Sequence, residues 1–389
     1  MKIAIGLEYP IGQFGGTEVL VQELVRGLAG RHQLILVSND TPEAIAASSW
    51  KPLLAGHIPW VPAKLNHTTS HWLAEELVRH KVDLAHFHFG GNYGWGNRSF
   101  SLCPVVQAAR RGVPCLSTNH GAFSILDGYC GAQRPLAVKL ALLPAAWLSK
   151  QFVLQKLFCE VTVSQNDLRN VRCWYPPMRH QFRQIYHSRL HGSPPPAVPE
   201  RAKQIVSLGT IGPRKGQTFL AEAFCKIAAA HPGWKLIIAG RHGDAGMTQQ
   251  IKQLRAASGL EDRIVLQERV TDAEAEQLLR TSAIFAMPSL AEGLGLSLQE
   301  ALFNGCACVA SRAGGMRDLI QHEENGLLAE PADVTSLAAA LDRLMRDEPL
   351  RRRFGERGPK SVLKKGMTAE RMIENYEQIY AECLAGERA

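Results

Sequence analysis

Residues Pro288–Cys308 read PSLAEGLGLSLQEALFNGCAC, and the organisation of the whole chain can be worked out from them. Ser289, Ala291, Glu292, Gly293 and Gly295 make a loop-like opening, and a helical pattern starts at about Leu296. On either side, Ala283–Met287 and Ala307–Ala310 are short apolar runs of the kind that form buried strands. Strand, glycine loop, helix and strand make a βαβ unit, since parallel strands need a crossover between them. The loop brings Glu292 and Glu300, eight positions apart, together with backbone N–H groups and a helix N-terminus. This combination suits a ligand carrying both phosphate and hydroxyl groups.

The same alternation runs outward in both directions. Upstream, strands are expected at Gln204–Leu208, Trp234–Ala239 and Ile264–Leu266, with helices at Thr218–Ala230, Met247–Ala257 and Ala273–Thr281. Downstream, Val334–Arg346 has a helical pattern. The N-terminal half repeats the scheme. Strand Lys2–Leu7 leads through a glycine turn, Gly12–Gly16, to a helix that Thr17 can N-cap, with Val19, Leu20, Leu24 and Leu28 apolar. Strand Gln33–Val37, a helix near Trp72–His80, strand Val82–Phe87, helix Val105–Arg111 and strand Pro114–Thr118 follow. Apolar strands separated by helices imply parallel sheets covered on both faces.

A chain of 389 residues exceeds one comfortable core, so two domains are expected. His191–Pro199, HGSPPPAVP, is the most linker-like stretch. The expected divisions are a first domain at residues 1–195, a second at 196–366, and a C-terminal helix at 367–389 crossing back to the first. Ligands of doubly wound sheets bind beyond the carboxyl ends of the strands.

The net charge of +8 favours anionic partners without choosing among nucleotides, phosphorylated substrates, nucleic acid and acidic membranes. Nine cysteines without a regular rhythm or a C-x-x-C pair point to a reducing compartment, and Cys306 and Cys308 read as buried small hydrophobes. The sequons at Asn66 and Asn97 are set aside because the N-terminus reads as a strand and not as a signal peptide. Leu136–Phe158 is the most apolar segment, but Lys139, Pro144 and Lys150 interrupt it, so the expectation is a soluble or peripheral protein. Asp167 and Glu200 enclose a stretch with five arginines and interleaved aromatics, which suits a solvated basic face or a surface for acidic lipid or a phosphorylated acceptor.

Several positions could carry chemistry. Gly209–Gly216, GTIGPRKG, places Arg214 and Lys215 before a helix, either as an anion site or as an exposed turn, and it lacks the P-loop spacing. Gly15-Gly16 could let backbone approach a ligand or could simply make the turn. His120, just after a strand end, is either a donor to a phosphate or sugar oxygen or a packed histidine. His86 and His88 share one strand face, with no third metal ligand at recognisable spacing and no Asp-x-Asp in the chain. A glycosidase pair at Glu292 and Glu300 is disfavoured, since eight helical residues rise about 12 Å and hydrolase carboxylates sit roughly 5–9.5 Å apart.

Taken together, these motifs resemble the retaining GT-B glycosyltransferases of family four, with Glu292 and Glu300 matching their E-x-seven-E pattern. The resemblance extends through Leu208-Gly-Thr, Arg214-Lys-Gly216, Ile238-Ala-Gly240, Met287-Pro-Ser289, Ser311-Arg-Ala-Gly-Gly315 and Glu324-Asn-Gly-Leu-Leu328. In the first half it is confined to Gly15-Gly16, Asp83–His88 and His120-Gly121. It implies an α/β GT-B fold, with two Rossmann-like doubly wound domains facing a central cleft. It also implies a retaining, metal-independent transfer from a nucleotide-diphosphate sugar, used as co-substrate with no further cofactor, to a glycan, lipid-linked or small-molecule acceptor.

By the same resemblance, Lys215 with Arg214 would hold the diphosphate, Glu292 the donor sugar and Glu300 the ribose. The amides of Gly293, Leu296 and Ser297 would face sugar and phosphates, Gly16 would approach the diphosphate, and His120 would contact the sugar region. Thr210 stands where many relatives have arginine. No nucleic-acid partner is expected. The expected location is cytoplasmic, with a peripheral place at an anionic membrane surface left open. The alternatives are a sugar-nucleotide epimerase or hydrolase of the same fold, or a non-catalytic nucleotide-sugar-binding scaffold.

Overall fold

The computed structural model describes residues 1–12, 15–61, 66–89, 99–121, 125–126, 135–196, 200–241 and 243–386. Of the sequence features above, Gln13 and Phe14 of the glycine turn, Asn97 of the second sequon and 197–199 of the proline stretch lie outside them. The chain forms two compact units, residues 1–189 with 369–389, and residues 190–368. The first division falls ahead of the proline-rich stretch, which belongs to the second unit.

In the first unit the described strands are β1 (Lys2–Leu7), β2 (Gln33–Ser38), β3 (Gly56–Pro59), β4 (Leu84–Phe89), β5 (Cys115–Asn119), β6 (Glu160–Thr162) and β7 (Phe182–Gln184). They pair in parallel in the order β3-β2-β1-β4-β5-β6-β7. β4 is buried at every position, as a central strand covered on both faces must be. The order reverses between β1 and β4, which makes that pair the switch point of the sheet.

Local chemistry corrects several expectations here. Thr17 does not cap the first helix, Gly16–Leu28; Gly15 occupies the N-cap position in extended backbone. A Cβ on Gly15 would lie 2.5 Å from a Glu18 carboxylate oxygen, so the glycine lets that side chain fold back over the helix start. The helix expected near Trp72 begins earlier and runs His67–Arg79. Asn66 and Thr69 close a capping box there, which uses the amide of the first sequon structurally.

The apolar segment is one continuous helix, Leu136–Leu154, long and apolar enough to cross a membrane by length and composition. The expected interruptions are absorbed. Pro144 lies on the exposed side, and Lys150 is buried with its Nζ 2.6 Å from Glu160 Oε2. The basic stretch beyond it forms helix Gln165–Trp174 and β7, with Tyr175 and Phe182 fully buried.

The last helix, Ala369–Ala385, belongs to this first unit. Gly27 of the first helix admits it closely, since a Cβ there would lie 2.0 Å from Ile373 Cδ1. Arg31 and His32 reach the Glu377 carboxylate at 2.5 and 3.0 Å.

The second unit's described strands are β8 (Ala202–Leu208), β9 (Lys235–Ala239), β10 (Ile264–Gln267), β11 (Ser282–Met287), β12 (Ala307–Ser311) and β13 (Gly326–Ala329). They form a parallel sheet in the order β10-β9-β8-β11-β12-β13, with its switch point between β8 and β11. Helices Gln217–Ile227, Ala245–Ala257, Asp272–Thr281, Leu296–Phe303 and Val334–Arg346 lie close to their expected places. Glu348–Lys364, rich in charge and carrying Gly355 and Pro359, was not read as a helix from sequence, yet Asp347 caps it and Leu350, Phe354 and Val362 are buried. Cys306 and Cys308 are buried, and burial pushes the Cys306 thiol up to about 11 even with Arg201 beside it.

Candidate active site

The two strands flanking the second unit's switch point each feed one loop of the candidate site. β8 leads into the 3-10 turn Pro213–Lys215, and β11 leads into Pro288–Gly295. The two loops are tied together by backbone. Leu290 N–H donates to Arg214 C=O at 2.8 Å. Gly216, at φ +68°, caps the following helix, and a Cβ there would lie 2.2 Å from Pro288 C=O. No other residue type combines that left-handed backbone with so close an approach.

A third segment holds the loop from its other side. Gly315 N–H donates to Glu292 C=O at 3.0 Å. A Cβ on Gly314 would meet Glu292 O at 2.2 Å, and one on Gly315 would meet Gly293 O at 2.0 Å. These two glycines were visible in the sequence as a motif, but their role as the bed of the Glu292 loop was not.

The side chains converge on Glu292. Lys215 Nζ is 2.6 Å from Oε1, and Arg214 Nη1 is 3.1 Å from Oε2 and also donates to Ala291 C=O at 2.8 Å. Ser289 Oγ donates to Oε1 at 3.0 Å. Burial pushes the Glu292 carboxyl up, but Lys215 and Arg214, with the hydrogen bonds from Lys215 and Ser289, outweigh it and hold the group below its ordinary value. The carboxylate therefore stays ionised.

Helix Leu296–Phe303 starts at Gly295 with no side chain capping it, so the first-turn amides of Leu296 and Ser297 have no partner within the helix. Ser297 Oγ donates to Leu208 C=O at 3.2 Å, which pins the helix start to the end of β8. Glu300 is buried one turn further along. The second unit thus gathers Arg214, Lys215, Glu292, Gly293, Leu296, Ser297 and Glu300 around adjacent strand ends. Two cations, a carboxylate and an open helix N-terminus can together hold an anion and orient hydroxyl groups.

Gly16 and His120 belong to the first unit. Gly16 opens the helix after β1, and His120 follows β5. His120 Nε2 lies 3.1 Å from His88 Nδ1, and burial lowers its pKa to about 3, so the ring is neutral. His86, His88 and His187 are buried more completely than the half-buried His120, and burial lowers each of them well below the ordinary value.

Hydrogen bonds run from Tyr380 Oη to His86 Nδ1 (2.8 Å) and from His86 Nε2 to Thr118 Oγ1 (2.8 Å). They continue from Thr118 Oγ1 to Tyr376 Oη and from there to His187 Nε2, both at 2.7 Å. Sequence reasoning placed His86 and His88 on one face but missed His187, Tyr376 and Tyr380, which no local spacing connects. Among the described residues no group of three His, Cys, Asp or Glu side chains could hold a metal ion.

The family model described as glycosyl transferases group 1 matches residues 193–361, and the one described as glycosyltransferase family 4 matches residues 14–187. The chain belongs to the group 1 glycosyltransferases of GT-B fold. It is 30% identical over 191 residues to an N-acetyl-alpha-D-glucosaminyl L-malate synthase of Bacillus anthracis, covering 49% of this chain and 48% of that one. The chain thus spans about half the length of that relative.

A glycosyltransferase structure from Rickettsia africae superposes with a TM-score of 0.77 at 16% identity, covering 98% of each chain. The structure of Anabaena HepE in complex with UDP and glucose gives a TM-score of 0.71 at 15% identity, covering 98% of this chain and all of that one. At such identities these likenesses speak for the fold.

Proposed function

We propose that this group 1 glycosyltransferase moves a sugar, with retention of anomeric configuration, from a nucleotide-diphosphate sugar to a glycan, lipid-linked or small-molecule acceptor. The observation carrying this reading is the Arg214–Lys215–Glu292 cluster beside the uncapped helix at Leu296. In this reading Lys215 and Arg214 take up the charge of the departing nucleoside diphosphate, electrostatic help that is usually a large catalytic contribution. The first-turn amides of Leu296 and Ser297 and the amide of Gly293 hold its phosphates and the sugar. Glu292 accepts hydrogen bonds from sugar hydroxyls, and Glu300 from the ribose.

His120, neutral, offers an N–H or a lone pair to a sugar oxygen, and Gly16 leaves room for a diphosphate. The bond from C1 to the diphosphate breaks, the acceptor oxygen bonds C1 on the same face, and its proton goes to the departing phosphate. The cations in this cluster supply charge that a divalent metal would otherwise supply, which supports metal-independent transfer. HepE's complex with UDP and glucose suits such a donor.

The test is a thermal-shift screen of nucleoside diphosphates and their sugars, since a ligand stabilises the folded state it binds. Product analysis by NMR, with and without acceptor and with chelator present, follows. Transfer to acceptor with the donor's anomeric configuration, unchanged by chelator, is expected. Inversion, or release of free or epimerised sugar without acceptor, would overturn it.

A further inference from the structure

Helix Leu136–Leu154 carries apolar side chains on both its packed and its outward side, with Ser149, Lys150 and Gln151 as buried polar exceptions. Its inward side, with Ala146, Val153 and Leu154, is part of the first unit's core. A surface helix should be polar on its other side. Here Leu136, Leu140, Pro144 and Leu148 form an i, i+4 row that faces outward, and the three leucines are 61%, 53% and 56% exposed. Val138, 41% exposed, borders the row. Exposed Ala141 and Ala145 add no polar atoms between them.

The charge along this part of the chain is one-sided. From residue 128 to 199 the sequence holds two carboxylates, Glu160 and Asp167, and both are buried. Lys156, just past the helix, and Arg169, Arg172 and Arg179 are exposed. Arg179 lies in the turn Pro176–Gln181, which packs against this helix, and Trp147 Nε1 ties the helix to Trp174 C=O at 2.8 Å. An apolar strip beside cations, with no exposed carboxylate among the described residues of the segment, matches the acyl boundary and headgroups of an anionic bilayer.

We propose that the outward face of Leu136–Leu154 docks the protein on an anionic lipid bilayer, with the helix lying in the interface. The packed inner half, with the Lys150–Glu160 pair, keeps the helix on the first unit and argues against its crossing the bilayer. This surface is independent of the transfer chemistry proposed above, and its test needs no turnover.

The experiment is cosedimentation of the full chain with vesicles of about three parts phosphatidylcholine to one part phosphatidylglycerol. The chain is expected to sediment with these vesicles and, much less, with phosphatidylcholine alone. Leu140→Glu with Leu148→Glu changes exposed positions only. It should leave circular dichroism unchanged and weaken binding at least about tenfold. Arg179→Gln should weaken it by about two- to fivefold.

Failure of the parent chain to sediment, or equal binding by the double variant, would overturn the proposal. Two other results would also overturn it: a dimer in sedimentation velocity that the double variant abolishes without vesicle binding, which would assign the face to a second copy, and a helix protected from protease from both sides of the vesicle, which would assign it to spanning.

Discussion

Lys215 Nζ lies 2.6 Å from Glu292 Oε1, so the cation expected at the diphosphate and the carboxylate expected at the sugar form a single ion pair. Both groups are set by backbone contacts between the two loops, and Lys215 helps hold the Glu292 carboxyl below its ordinary value. Lys215→Ala should reduce turnover by about 10²- to 10³-fold, the scale of losing one preorganised electrostatic group. The folded state should persist, because Arg214 and Ser289 still serve Glu292. With Lys215 gone, the Glu292 pKa should rise. Steady-state kinetics and an NMR titration of the carboxyl check both statements, and near-normal turnover would remove Lys215 from the machinery.

The glycines beneath the loop give a steric prediction. Gly315→Ala places a Cβ 2.0 Å from Gly293 O; the Cβ is fixed by its bond to Cα and the oxygen belongs to backbone, so neither can rotate away. The loop must shift, at a cost of about 1–3 kcal/mol. Calorimetry should then show weaker nucleotide binding even though no ligand-facing side chain has changed. Full affinity with unchanged stability would show that the glycine bed does not set the loop.

The buried histidines make stability depend on pH. His86, His88, His120 and His187 are all held neutral when folded, because burial lowers their pKa, whereas unfolded they titrate at the ordinary 6.5. Below that value the unfolded chain binds more protons than the folded one, so stability present above pH 6.5 is lost as pH falls. Each histidine contributes a slope of at most about 1.4 kcal/mol per pH unit. Denaturant midpoints measured downward from neutral pH should fall steeply, and His86→Gln should flatten the slope.

Tyr376 Oη is shared by Thr118 and His187 at 2.7 Å each. Tyr376→Phe keeps the ring and removes the hydroxyl, leaving two buried groups short of a partner. About 1–3 kcal/mol should be lost. The loss should fall on the first unit, where hydrogen exchange along β5 would report it.

Lys150 and Glu160 are 1% and 0% exposed. Lys150→Met leaves the Glu160 carboxylate buried without its cation and should cost about 3–5 kcal/mol. Adding Glu160→Gln should recover part of that loss, because a neutral amide is cheaper to bury. A thermal melt of the single and double variants checks the order.

The sequence by itself determined the alternation of apolar strands and helices, and with it two parallel doubly wound sheets. It also determined the positions of Lys215, Glu292 and Glu300 relative to strand ends. Those features are local: side-chain periods and glycine positions are written within a few residues of where they act. Only the tertiary structure decided that Gly314 and Gly315 support Glu292, that Lys215 pairs with it, and that His86, Thr118, His187, Tyr376 and Tyr380 form one network. It also decided that an apolar run broken by Pro144 would be a continuous helix with an exposed apolar face. These depend on contacts between segments tens to hundreds of residues apart, or on which side of a helix meets solvent, and no spacing within one segment records either.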